Sequence, residues 1–284
     1  MEWLKGAPVA ASITARVNSE VAELEGMDIK PRLAIVRVGE KPDDISYENS
    51  AMKRCASVGI DVKQVTLPET STQDAVEAII DWLNDDESVH GVLILRPLPS
   101  HLDEASICEK LSFAKDVDGV TSLSLAGVFA SRSIGFPPCT AQACIEVLNY
   151  YGYGFAGKRA VVVGRSLVVG KPIAMLLLNR HATVTMCHTR TKHLRDTCRG
   201  AELLIVAAGT AGAVDETFLN AGQTVIDVGI HVGEDGKLRG DITVNGETPP
   251  VEAMTPVPGG VGAVTTAVLV SHVARAAKRT ARKF

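Results

Sequence analysis

The chain has 284 residues, of which 46% are hydrophobic and 22% charged, with a formal net charge of −4. That length suits two domains of ordinary size, and the mild acidity argues against general nucleic-acid binding. No apolar run reaches the roughly 18 residues that a membrane-spanning helix needs.

The opening MEWLKGAPVAASITARV lacks the basic-then-apolar layout of a secretory leader, so a cytoplasmic protein is expected. From there a strand–helix alternation begins. RLAIVRV (32–38) is a β-branched apolar run, followed by helical spacing over Ser46–Val58. DVKQVTL (61–67) alternates, and Thr72–Leu83 reads as a helix capped by Ser71 or Thr72. GVLILRPLP (91–99) reads as a strand stopped by prolines. A second series starts near residue 140 with a helix over Thr140–Tyr151. RAVVVGRS (159–166), a helix over Lys171–Leu178, ATVTMCH (182–188), ELLIVAAG (202–209) and QTVIDVGI (223–230) follow. A last helix is expected over Thr265–Lys283, its basic end suiting the negative pole of the helix dipole. The pattern predicts an α/β fold of two units with mostly parallel sheets, joined around residues 135–140. The six cysteines form no C-x-x-C pair and fit no zinc spacing, and the seven histidines are scattered. No metal is expected, and the thiols read as reduced.

The segment VVVGRSLVVGKP (161–172) carries the clearest local chemistry. A strand ends at Gly164, and Gly170 permits close backbone approach where a helix begins. The free N–H groups and positive dipole at that helix start suit a pyrophosphate. The glycines are six apart and Ser166 stands where a second glycine is usual, so the spacing alone fits a plain turn as well as a cofactor loop. The next strand ends Cys187-His188-Thr189-Arg190-Thr191, with no acid to hold a ribose. A carboxylate there would repel the extra phosphate of NADP, whereas Arg165, Thr189 and Arg190 could meet it. The pattern favours NADP over NAD.

Together with KGAPVAASI (5–13), KDVDGV (115–120), PPCTAQA (137–143), VIDVGI (225–230), GDI (240–242) and TPVPGGVGAVT (255–265), these segments run in one order. In that order the chain resembles the methylenetetrahydrofolate dehydrogenase/methenyltetrahydrofolate cyclohydrolase family. The resemblance implies a folate-binding domain over 1–138, to which 265–284 return, and a Rossmann-like NADP-binding domain over 139–264, with a cleft between. It also implies a homodimer acting on tetrahydrofolate derivatives in one-carbon metabolism, without nucleic-acid or membrane partners. By the same resemblance Gly164, Arg165, Ser166 and Gly170 form the cofactor turn, Thr189 helps hold the extra phosphate, and Ile230 contacts the nicotinamide side. Asp118 matches the acid that grips the pterin, although alone it reads equally as a turn residue before Gly119. Tyr47 matches the aromatic that stacks on folate. Pro97 and Leu98 belong to the substrate wall, and Pro258, Gly259 and Gly260 to a loop closing over it.

Two positions depart from the family's pattern. The family places a lysine one turn after the tyrosine; here Tyr47 is followed by Ala51. Lys53, six residues on at roughly 100° each, falls about 120° off that face. The family's Q-L-P-L-P reads Leu95-Arg96-Pro97-Leu98-Pro99, so the glutamine is also lost. The C-T-P-x-G pattern is altered to Cys139-Thr140-Ala141-Gln142-Ala143. Hydride departure needs orientation, whereas hydrolysis of the methenyl cation needs a positioned acid–base group. The expectation is therefore an NADP-dependent dehydrogenase with weak or absent cyclohydrolase activity. The alternatives are the full bifunctional enzyme, a non-catalytic folate or nucleotide sensor, and a dehydrogenase for another small substrate.

Overall fold

The structure, a computed structural model, describes residues 1–233, 235–246 and 249–281. It opens with β1 (Glu2–Trp3), α1 (Gly6–Glu25), β2 (Arg32–Val38), α2 (Pro42–Ala56), β3 (Asp61–Leu67), α3 (Gln73–Asp85) and β4 (Gly91–Ile94). α4 (Glu104–Lys110), α5 (Ser122–Phe129) and α6 (Cys139–Tyr150) follow. Then come β5 (Arg159–Val163), α7 (Gly170–Leu178), β6 (Thr183–Cys187), α8 (Leu194–Arg199) and β7 (Leu203–Val206). The chain continues with β8 (Val214–Asp215), β9 (Thr224–Asp227), β10 (His231–Val232), β11 (Leu238–Arg239), β12 (Ile242–Thr243), β13 (Ala253–Met254) and α9 (Gly262–Ala281). Contacts divide these residues into two compact units, one of Ser12–Cys139 with the described residues from Thr266 onward and one of Met1–Ala11 with Thr140–Thr265.

In the first unit β3, β2 and β4 form a parallel sheet in that order. β2 lies in the middle, and Leu33, Ala34, Ile35 and Val36 have no exposed surface. A strand covered on both faces reads as a continuous apolar run, as this one does. Val76, Ile80 and Leu83 of α3 pack into the same core as Ala34, Val36 and Ile94. The Thr72 hydroxyl caps α3 by accepting from Ala75 N–H. α2 begins four residues before the expected Ser46: Pro42 occupies the first turn, where its missing N–H costs nothing, and Asp43 and Asp44 suit the positive dipole end. β4 stops at Ile94, short of the expected 99. Leu95 N–H still bonds to the Val36 carbonyl, and Pro97 has no N–H to continue the ladder.

The second unit holds a six-stranded sheet in the order β1-β13-β9-β7-β5-β6, with every pairing parallel. By contacts the first eleven residues group with this unit. Glu2 N–H bonds to Glu252 O and Leu4 N–H to Met254 O, adding an edge strand too short to show a period. Val161, Val163, Leu204, Val206 and Val225 share one core cluster. α9 starts three residues before the expected Thr265 and is described to Ala281; the last two residues expected in that helix, Arg282 and Lys283, lie outside the described residues. All six cysteines are free and buried, and no group of three or more metal-ligating side chains occurs among the described residues. No described helix is long and apolar enough to cross a membrane.

Candidate active site

The turn after β5 is built by crowding. Gly164 has φ of 129°, and a Cβ there would collide with the Ala207 carbonyl. A Cβ on Gly170 would meet the Gly164 carbonyl and, at 2.7 Å, the Arg165 nitrogen. Two backbone segments thus touch where α7 begins. The Ser166 hydroxyl accepts from Val169 N–H at 3.1 Å and Gly170 N–H at 3.4 Å. As an acceptor in both bonds it keeps its own O–H for a ligand oxygen. Arg165 and Ser166 are exposed.

β5 and β6 pair through Val163 and Cys187, and Gly164 N–H bonds to the Cys187 carbonyl at 2.9 Å. The register sets the glycine turn beside the 188–191 loop. That loop closes on itself: His188 N–H bonds to the Thr191 hydroxyl at 2.8 Å, and Arg190 N–H to His188 Nδ1 at 3.1 Å. Thr189 and Arg190 remain exposed, free of those closing side-chain bonds. The loop therefore offers a hydroxyl and a guanidinium, and no carboxylate, at the end of β6.

Two buried acids that the sequence reading quoted only inside motifs hold the neighbouring loops. Asp241 Oδ2 accepts from the N–H groups of Ala208 (2.7 Å) and Gly209 (3.1 Å), and its Oδ1 accepts from Thr210 N–H (3.1 Å) and meets His231 Nε2 at 2.7 Å. Asp227 accepts from Gly229, Asp241 and Ile242 N–H, and its own N–H bonds to the Thr255 hydroxyl at 2.8 Å. Burial pushes the Asp227 carboxyl up to about 6, against the three N–H bonds that favour its charge. This clasp explains why VIDVGI, GDI and TPVPGG stand out together. Ile230, Pro258, Gly259 and Gly260 line one cavity of about 210 Å³ in this unit. Ile230 is 55% exposed, and a Cβ on Gly262 would press on its Cδ1 at 2.7 Å.

In the other unit, the KDVDG segment divides its work between two acids. Asp116 is fully buried and accepts from Val120 N–H, Thr121 N–H and the Thr121 hydroxyl at 2.8–2.9 Å. The Val117 carbonyl accepts from the Cys139 thiol at 3.3 Å and His272 Nδ1 at 2.8 Å. Gly119 has φ of 67°, with Pro138 N and the Phe136 carbonyl where a Cβ would lie. The turn is fastened through these partners, which leaves Asp118 to face its surroundings. Burial raises the Asp118 carboxyl to about 6; Arg96 and Cys139 pull it down and Asp116 pushes it up. The Tyr47 hydroxyl is held well above its usual range by burial, then by the charges of Asp118 and Cys139. Tyr47 and Asp118 are thus brought within electrostatic reach of each other.

Ala51, one turn beyond Tyr47 on α2, is fully buried, and Leu95 is 5% exposed. Lys53 points to solvent. Pro97 is exposed and Leu98 buried, with Leu98 N–H bonded to Glu104 Oε2 at 2.8 Å. Sequence reasoning missed Lys41, whose ammonium donates to the Pro97 carbonyl at 2.6 Å, and Arg96, which lies 4.0 Å from Asp118. The signal for Arg96 was a cation inside an otherwise apolar strand end.

Comparison with known proteins gives consistent matches. The family model described as tetrahydrofolate dehydrogenase/cyclohydrolase matches in two parts, its catalytic domain over residues 4–118 and its NAD(P)-binding domain over 138–281. The bifunctional protein FolD of Carboxydothermus hydrogenoformans is 48% identical over 277 residues, 97% of this chain and 96% of its own. The crystal structure of the bifunctional FolD from Campylobacter jejuni superposes with a TM-score of 0.95 at 36% identity, over 99% of both chains. The Trypanosoma brucei methylenetetrahydrofolate dehydrogenase-cyclohydrolase, complexed with NADP cofactor and inhibitor, has a TM-score of 0.91 at 33% identity, covering 98% of this chain and 97% of its own.

Proposed function

This chain belongs to the tetrahydrofolate dehydrogenase/cyclohydrolase family, and on that footing we propose that it oxidises 5,10-methylenetetrahydrofolate to the 5,10-methenyl cation with NADP. The observation that supports the reading is the turn after β5, whose backbone admits no side chain at 164 or 170 and whose Ser166 hydroxyl takes up the N–H groups of Val169 and Gly170, not left free as the sequence suggested, while keeping its own O–H for a ligand oxygen. A phosphorylated dinucleotide fits that donor set: Arg165, Ser166, Thr189 and Arg190 would hold it, and no acid at the β6 end repels its extra phosphate. When bound, NADP supplies a hydride acceptor.

The chain's own residues bind and orient. Asp118 accepts two N–H bonds from the pterin edge, Tyr47 stacks on the ring, and Pro97 and Leu98 wall the pocket. Ile230 and the Pro258–Gly260 loop shape the nicotinamide-side cavity. Hydride loss from the methylene carbon leaves a cation shared by two nitrogens, so no side chain has to move a proton in that step. Purified protein given methylenetetrahydrofolate and NADP should form NADPH, faster than NADH with NAD. Binding of both ligands without reduction would instead mark a non-catalytic sensor. The reading extends to a cytoplasmic homodimer, for which sedimentation should give the mass of two chains.

Hydrolysis of the methenyl product divides two readings. Kinship favours the full bifunctional enzyme, because the relatives are named as such. The dehydrogenase with weak cyclohydrolase activity rests on one local observation, the apolar pair Ala51 and Leu95 where the family pattern has lysine and glutamine. Hydrolysis requires water to lose protons and a ring nitrogen to gain one, and neither side chain can do that. Decay of methenyltetrahydrofolate decides: a protein-dependent rate well above the spontaneous one establishes the bifunctional reading, and its absence the other.

A further inference from the structure

Arg96 stands where the family's strand-end motif has leucine, and it is placed to act on the substrate acid. Its Nη1 lies 3.6 Å from Glu104 Oε1 and its Nη2 4.0 Å from Asp118 Oδ2. Its Nε is buried and has no hydrogen-bond partner among the described residues. The side chain is only 22% exposed, as is that of Asp118. Burying an incompletely bonded guanidinium costs stability, so its position calls for a use. Glu104 anchors it from α4 while its other oxygen binds Leu98 N–H. One acid thereby ties the cation to the wall that carries Pro97 and Leu98.

We propose that Arg96 is a positioning residue for Asp118, pairing with it so that both carboxylate oxygens stay acceptors for the two N–H donors of a 2-amino-4-oxo-pyrimidine edge. The inference rests on Asp118 being the substrate acid. Around Asp118 stand Arg96 after β4, Tyr47 from α2, Cys139 at the head of α6 and Asp116 in the same turn; Glu104 and Cys108 of α4 face Arg96. Burial keeps the Tyr47 hydroxyl and the Cys139 and Cys108 thiols neutral. Arg96 is thus the one cation among these groups, and a guanidinium does not lose its proton. The Asp118 carboxyl already sits near 6 with Arg96 in place. Without the cation it rises further, the protonated fraction grows at neutral pH, and a protonated carboxyl gives up one acceptor oxygen.

The test uses full-length Arg96→Leu and Arg96→Lys. Leucine is the residue of the family motif, and Glu104, 36% exposed, can be solvated once unpaired. In ligand-free protein, carbon-13 NMR of the Asp118 carboxyl should show its midpoint at higher pH in Arg96→Leu, by roughly one unit or more, and nearer wild type in Arg96→Lys. In turnover, KM for methylenetetrahydrofolate should rise at least about threefold near pH 6.5 with kcat little changed, and converge on wild type above pH ~8. An unmoved NMR midpoint, or a KM defect independent of pH, overturns the proposal. Wild-type protein that shows the NMR shift on mutation but no turnover overturns the proposed function instead. Should Arg96→Leu fail to fold, Arg96→Gln carries the same two readouts.

Discussion

Two strand ends carry the chemistry proposed for this chain, and they are built on opposite terms. After β5, backbone meets backbone: Gly164 and Gly170 admit no Cβ, and Asp227 and Asp241 lock the adjoining loops through main-chain N–H groups. After β4, side chains line the proposed site, and there the chain carries Leu95 and Arg96. Where the main chain itself forms the binding surface, sterics leave one residue type. Where side chains form it, a changed residue is tolerated by the fold and felt only in the chemistry.

The largest effect that could break this comparison is Gly164→Ala. The Ala207 carbonyl cannot withdraw without moving β7, so the turn must shift; a displacement of that kind costs about 10²-fold in kcat/KM for NADP. An effect below tenfold would show that the crowding is not what selects glycine. Asp241→Asn removes one acceptor oxygen from a buried cluster of N–H donors and should lower unfolding stability by about 1–3 kcal/mol in urea titrations. Ala51→Lys with Leu95→Gln restores the family's polar pair on the side-chain end, and methenyltetrahydrofolate decay should rise about tenfold. No gain would remove the local argument for weak hydrolysis.

A smaller effect concerns charge. The Asp118 carboxyl is raised from an ordinary 3.8 to about 6 in the folded chain. The folded state therefore holds the proton more tightly than the unfolded one, and stability is highest below about 4 and falls as pH rises through about 6. Asp118→Asn avoids this loss and should be more stable at neutral pH, on the order of 1 kcal/mol, with the advantage fading as pH falls from 6 to 4. Loss of folate turnover in the same variant would show that stability was given up for binding. Smallest of all, Arg190→Ala should raise KM for NADP roughly threefold and leave NAD unaffected, as expected for an exposed charge pairing with phosphate.

Much of the local structure around the proposed site was legible in the residues. Local φ demands and dipole ends belong to neighbours in the chain, so the Gly164–Gly170 turn, the α7 start and the β2 run could be read without coordinates. Other parts were invisible for the converse reason. β1 has no period of its own and is defined by its partner β13, some 250 residues away. Asp116 and Asp118 look alike in KDVDG, and only the N–H groups converging on Asp116 separate the fastener of the turn from the acid that stands beside Arg96 and Cys139.

By itself, then, the order of residues determined the alternation of strands and helices, the glycine turn, and the apolar residues Ala51 and Leu95 near the proposed site, because each depends on a side chain and its immediate neighbours. The tertiary structure alone decided that Asp227 and Asp241 clasp three loops and that Arg96 lies between Glu104 and Asp118. Those relations join residues far apart in the chain, and a charge or an N–H group acts through space on whatever folding brings beside it.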